Sequence, residues 1–169
     1  MIITITGLPG SGKTSVSKEL AKHLHIKHYS IGDIFRKFAR KKHEDVIKLM
    51  KENPKLVDLL DKKQKVIAKK KNAIIDSRLG AYLIKNADYK IYLSCSLKER
   101  VKRIMKREKL DYKETVKKIL SRERLELEHY KKHYHVDYRN KKLYNIIINT
   151  GGLSIEETVK KILSKINSN

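Results

Sequence analysis

Apolar residues along this chain recur in two alternating periods, and the switches between them mark out the elements. Ile2, Ile3 and Ile5 open the chain as an almost continuous apolar run, the mark of a central strand covered on both faces. Over residues 13–25, Val16, Leu20, Ala21 and Leu24 return at three- and four-residue spacing, which predicts an amphipathic helix. A short second strand is expected at 27–29, and Gly32 reads as a turn into a helix with Ile34, Phe35 and Phe38 on its apolar side. Asn53-Pro54 pairs a capping residue with a first-turn proline. It predicts a helix reaching about residue 70, with Leu56, Leu60 and Ile67 buried. Residues 33–71 are thus expected to be helical and inserted between strands two and three.

Ala73-Ile74-Ile75-Asp76 reads as a third buried strand and residues 90–94 as a fourth. The helix that follows carries Leu97, Val101, Ile104 and Met105 on one face and Arg100, Arg103 and Arg107 on another. A polar break at 108–112 precedes a second charged helix over 113–134. A fifth strand covers 144–149, and Gly151-Gly152 ends it. Ser154-x-x-Glu157 is a capping box that opens a last helix burying Val159, Ile162, Leu163 and Ile166, with only the final three residues frayed. Strands alternating with helices predict an α/β fold on a parallel sheet. Such sheets bind ligands at the carboxyl ends of their strands.

Composition narrows the class. The 169 residues fit a single domain spanning 1–169, with enough chain for a real core. No stretch approaches the roughly 20 apolar residues of a membrane span. The first strand starts at residue 2 and leaves no room for a signal peptide, so a cytoplasmic protein is expected. Cys95 is the single cysteine, which excludes intramolecular disulfides and zinc clusters. The net charge of +22 points either to a polyanionic partner or to lysine-rich solvated helix faces. The excess is mostly Lys and few aromatics interleave with it, so nucleic acid is not the expected partner.

The chemistry begins with Gly7-Leu8-Pro9-Gly10-Ser11-Gly12-Lys13-Thr14, a complete P-loop spacing between a strand and a helix. Loop amides and the helix N-terminus, continuing through Ser15, offer N–H donors to a phosphate chain. Lys13 would reach the β/γ-phosphates, and the Thr14 hydroxyl would ligate Mg²⁺. No Asn-Lys-x-Asp segment reads guanine, which argues against a GTPase switch. Asp76 ends a run of only three apolar residues, shorter than motor ATPases carry, and Arg78 follows within two positions. An arginine so close to a metal site calls for a second anion, as in a small kinase holding an acceptor phosphate.

Together, the P-loop, Ser30-x-Gly-Asp-Ile-Phe-Arg36, Asp76-Ser-Arg78 and Arg122-Glu123 resemble a nucleoside monophosphate kinase, most closely the short archaeal-type cytidylate kinases. The resemblance implies a P-loop fold with a five-stranded parallel sheet of order 2-3-1-4-5, a helical acceptor-binding insertion at about 33–71 and a short lid at about 103–124. It implies transfer from ATP, with Mg²⁺, to CMP or dCMP. The acceptor residues would be Ser30, Asp33, Arg36 and Arg78, the lid arginines Arg103, Arg107 and Arg122, and the metal residues Thr14 and Asp76. The chain departs from the family where His129-Tyr130 replaces an Arg-Tyr and where Arg124 stands at an often acidic position. On the residues alone, Asp33 is equally a helix cap and Gln64 on an exposed helix is a candidate pyrimidine reader. An adenylate or other small-acceptor kinase, and an RNA- or ribosome-associated NTPase, stay open as alternatives. A monomer acting on small nucleotides is expected.

Overall fold

In the computed structural model, β1 (Ile2–Gly7), β2 (Lys27–Ser30), β3 (Ala73–Asp76), β4 (Tyr89–Ser94) and β5 (Ile146–Asn149) pair in parallel, in the order β2-β3-β1-β4-β5. The structure describes residues 1–43 and 46–168. Residues 44 and 45 of the expected insertion, and the last of the residues expected to fray, lie outside the described residues. The sheet order is the one the resemblance implies.

Both faces of the sheet are covered, which is why its strands read as apolar runs. Ile3 and Ile5 of β1 point to the face packed by α1 (Lys13–His23) and α8 (Ile155–Asn167), where Val16, Leu20, Val159 and Ile162 meet them. The opposite face carries Ile2 and Ile75, packed by α2 (Ile31–Lys41), α3 (Val46–Glu52) and α4 (Pro54–Lys69) through Phe35, Leu49, Val57 and Leu60. The predicted capping box is present: Ser154 Oγ accepts from the Glu157 N–H, and the Glu157 carboxylate accepts from the Ser154 N–H.

Several local expectations are corrected. Gly32 is no turn, because Ser30 caps α2 directly and the helix starts at Ile31. The small residue instead makes room for Arg36, whose guanidinium would lie 3.3 Å from a Cβ at Gly32. Phe38 faces solvent at 41% exposure, because α2 buries the Ile31–Phe35–Ala39 line. On α4 the buried stripe is Val57, Leu60 and Ile67, and it includes Asp61 and Gln64. Asn53 stands at the N-cap position, but its amide donates back to the Leu49 carbonyl. A four-residue helix, α5 (Gly80–Leu83), follows β3 and lacked a periodic signal because one turn is too short to show one. Beyond β4, α6 (Leu97–Glu108) and α7 (Tyr112–Tyr134) pack through Val101, Ile104 and Ile119.

Candidate active site

The carboxyl ends of β1, β2 and β3 lie side by side, and the register places Ile5 and Ser30 both opposite Asp76. Asp76 therefore stands at the foot of the P-loop. Its Oδ2 accepts from the Thr14 hydroxyl at 2.6 Å and from the Ser30 hydroxyl at 3.0 Å. Ser30 Oγ in turn accepts from the Asp33 N–H, so one hydroxyl both caps α2 and ties it to β3. Gly10 and Gly12 have φ of 82° and 91°, the left-handed region that β-carbon-bearing residues avoid. A Cβ at Gly10 would also lie 2.9 Å from the Arg100 carbonyl, so α6 closes tightly over the loop.

A cleft of about 570 Å³ opens from this point. Pro9, Gly10, Gly12, Lys13, Thr14 and Ser15 form one wall, and Asp33, Arg36 and Arg40 of α2 another. Asp76, Arg78, Arg107 and Arg122 also face it. The predicted acceptor and P-loop residues are thus brought together, with Ser30 just beneath through its bond to Asp76. Gly7, Leu8 and Ser11 support the loop from behind. Ser11 is fully buried, and Leu8 packs against Leu79 and Tyr138.

The electrostatics are those of a polyanion site. Burial, then the nearby Arg78 charge, hold the Lys13 ammonium well below the ordinary lysine value, and its Nζ rests 3.1 Å from the Leu8 carbonyl. Arrival of phosphate oxygens would return it toward the charged form. Arg36 pairs with Asp33, whose carboxyl is lowered by that pair against the cost of its burial. Asp33 itself also lines the cleft.

Arg103 takes a different position from Arg107. Its guanidinium donates to Thr150 Oγ1 at 3.1 Å and to the Thr150 carbonyl at 2.6 Å, beside Gly12. Arg107 lines the cleft and pairs with Glu108. Four residues of helix put the two side chains on neighbouring positions, but the loop after β5 captures the first. Arg100, expected on the same polar face, is buried at 4% exposure, paired with Glu123 and bonded to the Pro9 carbonyl. Arg124 points to solvent with Glu128, and His129 stacks on His133 with ring centroids 4.5 Å apart.

Comparison with known proteins matches this arrangement. The profile of the cytidylate kinase-like family covers residues 50–152. The chain is 39% identical to the cytidylate kinase of Archaeoglobus fulgidus, over 98% of this chain and 94% of that one. It is 38% identical to the cytidylate kinase of Thermococcus kodakarensis, over 89% and 79% of the two chains. The chain belongs to the cytidylate kinase-like family. Among solved structures, the shikimate kinase of Acinetobacter baumannii superposes with a TM-score of 0.66 at 17% identity, covering 99% of this chain and 93% of that one. That likeness shows the shared fold.

For a member of the cytidylate kinase-like family, one group at the site was not legible in the sequence, and a second was singled out there but expected on an exposed helix. The first is Glu126, a carboxylate 2% exposed that joins two arginines from different elements. Its Oε2 accepts from Arg78 Nε at 2.6 Å and its Oε1 from Arg122 Nε at 2.8 Å. Burial alone would raise this carboxyl, but the Arg78 and Arg122 charges outweigh it and hold the group at about 2. Because each arginine uses Nε for Glu126, its terminal nitrogens are left for the cleft. The i,i+4 spacing of Arg122 and Glu126 was visible in the sequence, but the link to Arg78, 48 positions away, was not. The second is Gln64, buried at 1% exposure against Asp61 and Ser77.

Proposed function

We propose that the protein transfers the γ-phosphoryl group of ATP to CMP or dCMP, giving ADP and the corresponding diphosphate. The observation that carries this reading is the cationic cradle of Lys13, Arg78 and Arg122 around one cleft, in a chain related over almost its whole length to cytidylate kinases. Two clustered phosphate groups need such a cradle, and a switch or motor with a single nucleotide does not.

In the reaction, an oxygen of the acceptor phosphate attacks the γ-phosphorus as the bond to the β–γ bridging oxygen breaks. Phosphoryl transfer asks mainly for alignment and for compensation of charge on the equatorial oxygens. Lys13 and the P-loop amides hold the donor's β/γ-phosphates. Arg36 and Arg78 hold the acceptor phosphate from two sides. Arg122 and Arg107 lie on the helices over the cleft and face the charge that moves between them. Residues 103–124 serve as the lid, and 33–71 as the acceptor-binding insertion. Arg103 would join only after leaving Thr150.

Thr14 and Asp76 supply hard oxygen donors 2.6 Å apart beside the P-loop, a set that suits Mg²⁺. Among the described residues no cluster of three or more His, Cys, Asp or Glu could hold a metal by itself. Held by Thr14 and Asp76, Mg²⁺ would supply charge neutralisation for the donor phosphates. Among the described residues no helix is long and apolar enough to cross a membrane.

The test is an ADP-release assay with each monophosphate in turn. CMP and dCMP should be used best, UMP less well, and AMP and GMP poorly. AMP as the best acceptor would move the assignment to an adenylate-type kinase. RNA added without any monophosphate should release no ADP, and RNA-dependent hydrolysis would replace the kinase reading altogether.

Arg36→Ala should raise KM for CMP while leaving ATP affinity close to wild type. A charge-assisted bidentate contact is worth about 1.5–3 kcal/mol, roughly 10- to 100-fold in KM. Titration of ATP and CMP separately checks it. A large loss confined to ATP would place Arg36 on the wrong substrate.

A further inference from the structure

Behind the acceptor wall, four side chains form an unbroken hydrogen-bond chain from α7 to β3. Tyr134 donates to Asp61 Oδ2 at 2.8 Å, Gln64 Nε2 donates to Asp61 Oδ1 at 2.9 Å, and Ser77 Oγ meets Gln64 Oε1. Asp61, Gln64 and Ser77 are each at most 5% exposed. Ser77 is the member of this chain that lines the cleft, whose wall also includes Ile31, Phe35, Val46 and Met50. A flat base needs such surface for its faces and a few polar contacts for its edge.

The direction of these bonds is decided by Asp61. An ionised carboxylate only accepts, so it turns the Gln64 amide to present NH₂ to Asp61 and its carbonyl to Ser77. Two acceptors cannot face each other, so Ser77 must give its one proton to Gln64. Its oxygen is then left with lone pairs only.

Resting on the proposed CMP kinase activity, we infer that this chain makes Ser77 an obligate acceptor for the 4-amino group of cytosine, and so discriminates against uracil. Uracil presents an oxygen at the same position, and a wired acceptor opposes it. Gln64 and Asp61 are positioning residues acting through Ser77. Gln64 sets the proton direction from behind and does not touch the base itself.

A second consequence concerns pH. Burial pushes Asp61 up to about 6, against the hydrogen bonds from Tyr134 and Gln64. Asp58, Lys62 and Lys65 of α4 and Tyr130, His133 and Tyr134 of α7 surround it, most of them around a cavity of about 300 Å³. Once protonated, Asp61 gains a donor and no longer dictates the amide orientation. The preference for CMP over UMP should therefore shrink as the pH falls through about 6. Because other charged groups surround Asp61, the effect is read as a ratio of substrates and compared with a variant.

The experiment measures kcat/KM for CMP, dCMP and UMP with wild type, Gln64→Met and Ser77→Ala, in mildly alkaline buffer and on acidification. Thermal melts establish that each variant is folded. In Gln64→Met the Ser77 hydroxyl is free to donate, and the UMP-to-CMP ratio should rise about tenfold, the worth of one net hydrogen bond. Ser77→Ala should lower CMP and dCMP use alike and raise the UMP-to-CMP ratio, because the contact to cytosine and the opposition to uracil are lost together, and that ratio should no longer respond to pH. Should Gln64→Met fail to fold, Ser77→Ala and the wild-type pH series carry the same comparison. Equal losses on all three substrates would overturn the relay, as would a change separating CMP from dCMP, which would put Ser77 on the sugar. If wild type prefers CMP and the ratio never moves, the relay falls and the kinase assignment stands. If wild type uses neither pyrimidine, both fall.

Discussion

Glu126→Gln should cost the protein both stability and turnover, and it is the largest stability effect expected of a single conservative change here. The carboxylate is buried between Arg78 and Arg122, themselves 10% and 22% exposed. Removing one member of a buried ion pair leaves uncompensated charge and costs about 3–5 kcal/mol. For a chain of this length that is a fall in melting temperature on the order of 10 °C. Turnover should fall too, because both guanidinium groups lose the anchor that aims them. Added CMP should raise the melting temperature of the variant more than that of wild type, since the acceptor phosphate replaces the missing anion. Equal melting temperatures would show that the arginines are held by something other than Glu126.

The sign of the pH dependence follows from the same group. The folded carboxyl sits at about 2, below its ordinary value of 4.5. Its contribution is therefore complete above about 4.5 and is lost as the pH falls toward and through 2, amounting to about 3 kcal/mol. Acid unfolding of wild type should show this loss, and Glu126→Gln should lack it.

Lys13→Ala carries the largest kinetic effect. Losing one preorganised cationic contact to the transferring phosphoryl group should lower kcat/KM on the order of 10³-fold. The fold should persist, and the free protein should melt no earlier than wild type. Burial and the Arg78 charge outweigh the attraction of Asp76 and Glu126 for Lys13, whose ammonium is otherwise bonded to the Leu8 carbonyl. ATP should stabilise wild type against heat and the variant much less, because only the state that binds gains from the ligand. Near-normal turnover would remove the P-loop from the mechanism.

The amino-acid sequence by itself determined the strands, most helices and the phosphate-binding loop. Those features are written in local spacing: the apolar run Ile2-Ile3, the glycines before Lys13, the Ser154–Glu157 box. The motifs carried a family resemblance, and the sheet order was expected only through that resemblance. Tertiary structure alone decided which charged and polar groups leave water. Arg100 and Arg103 share a helical face, yet one is buried against Glu123 and the other is taken by Thr150. Gln64 sits among lysines on α4 and was expected on an exposed face, yet α5 and α7 close over it and its partner Asp61. Glu126 joins two arginines because α7 passes the end of β3. Hydrophobic periodicity specifies which face of an element turns inward. Which polar side chain is carried in with that face, and which partner satisfies it there, depends on elements distant in sequence, and so it became visible only once they had packed.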